Sequence, residues 1–60
     1  MPIVHIHMWK GKTVEQKRAM VKEVTNAICK TLDVPADMVI IQIVELPKEN
    51  VAVAGKLSSD

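Results

Sequence analysis

The sequence predicts an α+β chain in which two parallel strands flank one crossover helix, with a short C-terminal hairpin arm and a need for partners. Three observations carry this. Residues 2–9 alternate, Val4, Ile6 and Met8 pointing one way and Ile3, His5 and His7 the other, which is the period of a strand. Further on, Met20, Val21, Val24, Ala27, Ile28 and Leu32 gather at helical spacing into an arc of roughly 140°, the width of a helix lying on a sheet. Met38 to Glu45 is then a nearly continuous apolar run bounded by turn signals, which suits a strand buried on both faces. A strand, a helix and a second strand in this order make a right-handed unit with parallel strands.

Each boundary has a local cause. Gly11 permits a tight exit from the first strand, and Thr13 with Gln16 three residues later fits a capping box, so the helix is expected from about Val14. Lys17 falls within the apolar arc in the first turn, where its stem can lie on apolar surface and its ammonium reach water. Cys29 lies off that arc. Pro35 lacks an amide proton and biases Val34 away from helix, so the helix should stop near Leu32 or Asp33. Ala36 and Asp37 make a turn, residues 47–50 a second one, and Val51 to Ala54 is read as a small hairpin arm reaching a neighbouring subunit. The tail from Ser58 is expected to be loose.

Sixty residues make a single domain, 1–60, and a lone core of this size is marginal. One cysteine excludes an intrachain disulfide, and the 48% hydrophobic content holds a single aromatic, Trp9, so association of identical chains is the expected source of stability. The net charge of +1 comes from scattered basic residues, which argues against a nucleic-acid partner. No apolar run approaches the ~20 residues of a membrane span, and His5, His7 and Lys10 interrupt anything resembling a secretory leader. A cytoplasmic setting is expected.

Met-Pro-Ile-Val-His-Ile-His-Met-Trp-Lys-Gly-Lys at the start, Glu15-Gln16-Lys17 opening the helix, and Val51-Ala-Val-Ala-Gly55 near the end together resemble the 4-oxalocrotonate tautomerase family over almost the whole chain. The resemblance implies the β-α-β tautomerase fold, assembly as a homohexamer built as a trimer of dimers, and no cofactor. It also implies catalysis by Pro2, whose nitrogen becomes a secondary amine once Met1 is removed. A free α-amino group titrates near ~7.7 to 8.0, a pyrrolidine nitrogen higher, so the site must lower the value to leave a neutral general base. With Met1 attached the nitrogen is an amide and has no basic lone pair.

Lys12 occupies the place where the family usually has an arginine that binds the substrate carboxylate; lysine keeps the charge without the bidentate fork, or is a solvated loop charge. Ile40 stands where the type enzyme has its second arginine, and Val51 where it has an aromatic residue on the arm. Without these a diacid loses its clamp. Trp9 replaces a leucine and either walls the site above Pro2 or packs at a subunit contact. His5 and His7 at i and i+2 could chelate a metal, but two ligands with no third are a weak signal, and no metal site is expected. Cys29, without a companion histidine, reads as an inert thiol. The expected function is a cofactor-independent tautomerase of small 2-hydroxy-dienoate (enol/keto) acids. The alternative is a weakly active or structural subunit of a homo- or hetero-oligomer.

Overall fold

The computed structural model describes all 60 residues. Strand β1 spans Ile3–Trp9, helix α1 Val14–Leu32, and strand β2 Ile40–Leu46, after which the hairpin β3 (Ala52–Val53) and β4 (Lys56–Leu57) closes the chain. Single 3₁₀ turns at Ala36–Met38 and Lys48–Asn50 precede β2 and the hairpin. β1 and β2 pair in parallel, Ile3 opposite Ile40 through Trp9 opposite Leu46. The α+β class, the crossover helix and the hairpin are as the sequence predicts.

The helix begins at Val14 because the capping box forms. The Thr13 hydroxyl accepts from the Gln16 amide at 3.1 Å, and the Thr13 amide donates to the Gln16 side chain at 3.0 Å. It ends where Asp33 takes a left-handed conformation, φ 56°, ahead of Pro35. β2 starts two residues later than expected, since Met38 and Val39 donate back to Pro35 and Ala36 in the 3₁₀ turn. The tail is not loose: the Ser58 amide donates to Val51 at 2.8 Å and the Asp60 amide to Leu57 at 3.1 Å. Ala54 and Gly55, with φ 54° and 80°, supply the positive angles that a two-residue hairpin turn requires.

Alternation sorts the sheet into two faces. Val4, Ile6 and Met8, paired with Ile41, Ile43 and Glu45, look toward α1, while Ile3, His5, His7 and Trp9, paired with Ile40, Gln42, Val44 and Leu46, form the far face. The helix covers only the first of these with Met20, Val21, Val24 and Ile28. Ala27 and Leu32 are exposed, whereas Thr25 and Cys29 are half-buried, because the helix is rolled slightly from the arc read in the sequence. The run from Met38 is therefore not buried on both faces in one chain; β2 has helix on one side and nothing on the other.

No residue of the chain is buried. The molecule is a slab of 43 × 24 × 13 Å with a radius of gyration of 14.6 Å, against roughly 10 Å for a compact chain of this length. Its accessible surface of 4765 Å² exceeds by roughly 850 Å² what a folded monomer of 6.7 kDa exposes. That excess is about one partner's share of a standard protein interface. No helix is long and apolar enough to cross a membrane.

Candidate active site

Pro2 sits half-buried at the mouth of β1, and its carbonyl accepts from the Ile40 amide at 3.0 Å, which fixes it to the start of β2. Two residues ahead of Val4, it belongs to the helix-facing side of the sheet. Its nitrogen takes no part in the ladder. Ile40 is at the same end of the sheet but on the far face, 40% exposed. Trp9, Lys12 and Val51 belong to the other end. Seven strand residues at ~3.3 Å each separate Pro2 from Trp9 by about 23 Å. One chain thus carries the two halves of the expected site at opposite ends of β1 and does not bring them together.

At the Lys12 end the geometry is well defined. The Lys10 amide donates to the Leu46 carbonyl at 3.1 Å, Gly11 turns the chain at φ 127°, and Thr13 is held by the cap, so Lys12 lies on a loop pinned at both sides. Lys12, Gln16 and Lys17 rim a cavity of about 210 Å³ floored by Met8 and Met20. The Lys17 Nζ donates to the Glu45 Oε1 at 2.6 Å. Apart from this pair the protein has one ion pair, Arg18 with Glu15 on the exposed helix surface, so Lys12 is without a carboxylate partner. An unpaired ammonium over an apolar floor, with an amide side chain beside it, can take a small carboxylate.

Lys17 does not simply reach water, as its place in the arc suggests; it meets an acid on the strand beneath. The match was visible in principle. Lys17 is the one cation in the apolar arc, and Glu45 has the parity of Ile41 and Ile43, so each is a charge on the side that faces the other. The Lys17 hydrogen bond holds the Glu45 carboxyl below its ordinary range, assisted by the Lys17 charge, the Gly11 amide and Lys10, while partial desolvation opposes them. A pKa lowered on folding means stability that is present above the unfolded carboxylate value and is lost as pH falls through the folded one. Glu45→Gln is therefore expected to lower the urea midpoint at neutral pH, the difference from the parent vanishing once acid has protonated Glu45. A difference that persists unchanged in acid would assign the effect to packing.

A second cavity, about 230 Å³, is lined by His7, Met8, Trp9, Leu46 and Val51. Trp9 and Val51, distant in sequence, thus form one apolar wall next to the Lys12 loop. His5 and His7 are exposed on the far face, and no group of three or more His, Cys, Asp or Glu is close enough to hold a metal ion.

The chain belongs to the tautomerase family: the profile described as Tautomerase enzyme matches residues 2–60. It is 42% identical to the 2-hydroxymuconate tautomerase of Bacillus subtilis over 100% of this chain and 97% of that one. Among solved structures, a 4-oxalocrotonate tautomerase isozyme from Methylibium petroleiphilum superposes with a TM-score of 0.90 at 45% identity, covering 97% of this chain and 91% of that one. A chain of the heterohexameric 4-oxalocrotonate tautomerase from Chloroflexus aurantiacus gives 0.89 at 28% identity, covering 100% and 97%.

Proposed function

We propose that this chain, acting as one domain after loss of Met1, isomerises small 2-hydroxy-dienoate acids with Pro2 as general base and no cofactor. The neutral pyrrolidine nitrogen takes the proton of the 2-hydroxyl group. The O–H electrons become the carbonyl π bond, the conjugated double bonds shift by one position, and the protonated Pro2 returns its proton to carbon at the far end. Lys12 anchors the carboxylate, and Trp9, Val51 and Ile40 supply apolar wall. The observation that carries this reading is the position of Pro2: its carbonyl, bonded to the Ile40 amide, fixes the residue at the head of β1, so that loss of Met1 would leave a secondary amine held at the end of the sheet.

The two halves meet between copies. β1 has β2 on one side and a free edge on the other. Antiparallel pairing of two such edges sets Pro2 of one chain beside Trp9 and Lys12 of the next, while the uncovered far face supplies the contact that joins dimers. A homohexamer in the cytoplasm is part of the same proposal, and a heterohexameric relative is the form its alternative, a mixed assembly, would take.

Lys12 provides the direct test. For processed protein acting on a monoacid enol, Lys12→Ala should raise KM about tenfold with a smaller effect on kcat, and Lys12→Arg should hold or improve KM, because a planar donor pair suits a carboxylate. Equal kinetics for the three proteins would return Lys12 to the solvated surface.

A further inference from the structure

We propose that Glu45, by holding Lys17 in an ion pair, keeps the Lys12 cavity singly cationic and so determines a preference for monocarboxylate over dicarboxylate substrates. This rests on the reading that Lys12 anchors the substrate carboxylate. Lys12 and Lys17 rim the same cavity. Two ammoniums there would suit two carboxylates, yet only one is free, since Lys17 is 2.6 Å from the Glu45 oxygen. The side chains of the pair are 23% and 34% exposed, so the pair lies within reach of solvent and its charges are open to screening by salt. The Lys17 hydrogen bond holds the Glu45 pKa below its ordinary value, so the carboxylate stays charged at neutral pH.

A helix-to-sheet tie would look the same in geometry, but it predicts different variants. Glu45→Gln leaves two free ammoniums; Lys17→Met leaves one ammonium and one carboxylate; the double variant returns to one ammonium. The tie is broken in all three. The charge differs in each, and in the double variant it matches that of the parent.

The readout is the ratio of kcat/KM for a diacid, 2-hydroxymuconate, to that for a monoacid, 2-hydroxy-2,4-pentadienoate, in processed protein whose assembly is checked by sedimentation. The ratio should rise about tenfold in Glu45→Gln, fall by about threefold or more in Lys17→Met, and come back to within about twofold of the parent in the double variant, these being shifts expected for a unit charge at short range in a partly screened site. Both shifts should shrink as salt is raised. A ratio that moves in the same direction in all three variants, or in none, overturns the proposal and leaves the pair as a tie. Should Lys12→Ala match the parent on the monoacid, the anchoring reading itself fails, a result distinct from any pattern in the Glu45 and Lys17 series. Gln is close to Glu in size, and Lys17→Met tests the same charge balance independently with the opposite sign.

Discussion

Chains that begin at Pro2 should convert enol acids to their keto forms on the order of a hundredfold or more faster than chains that keep Met1, the range that a positioned general base supplies. The reason lies in one bond. With Met1 attached, the Pro2 nitrogen shares its lone pair with the methionine carbonyl and cannot accept a proton. Met1 is 73% exposed and the Pro2 carbonyl is bonded to the Ile40 amide, so the methionine adds nothing to the sheet and its removal leaves the ladder intact. The two forms differ by one residue in intact mass and can be assayed side by side on 2-hydroxy-2,4-pentadienoate. Across pH, the processed form should show a limb set by ionisation of its secondary amine, and the Met1 form should lack it. A processed form no faster than the Met1 form would remove Pro2 from the mechanism and leave a structural subunit.

The second expectation is complementation. A Met1-retaining chain with intact Lys12 and a processed Lys12→Glu chain should each be nearly inactive. Unfolded together and refolded as a mixture, they should recover activity if the proposed assembly holds, because Pro2 lies about 23 Å from Trp9, at the Lys12 end of β1, in one chain and would meet the Lys12 loop only between chains. Random assembly of equal amounts restores roughly a quarter of the sites. If each site belonged to one chain, mixing would restore none. Sedimentation of the same samples should give a species near six chains, and a stable monomer at micromolar concentration would remove the composite site altogether.

Much of this was legible in the sequence, for identifiable reasons. The period of two in Val4, Ile6 and Met8, the Thr13 and Gln16 pair, and Pro35 each act through neighbours in the chain, so their effects on β1, the start of α1 and its end could be read locally. What was not read from the sequence depends on contacts between separate elements rather than on neighbours in the chain. The Lys17 and Glu45 pair joins residues 28 apart. The tail is ordered because the Ser58 amide finds the Val51 carbonyl across the hairpin. The expectation that β2 is covered on both faces came from its composition, and composition does not say which chain does the covering. Of the expected site residues, Trp9 and Val51 share a cavity and Lys12 rims the adjacent one, whereas Pro2 and Ile40 stand at the far end.

The absence of any buried residue also bears on how the native state is reached. In most small domains collapse is an intramolecular event, fast and indifferent to dilution, because the apolar surface that must leave water lies on the same chain. Here helix and sheet meet on one side, while Ile3, Ile40 and Val44 are exposed in the single chain; in the assembly proposed above they would leave water only when another chain arrives. On that reading the final gain in stability belongs to a collision, and the rate of maturation should follow the number of chains present. A newly made copy would then wait, as a thin and open sheet, for its partners.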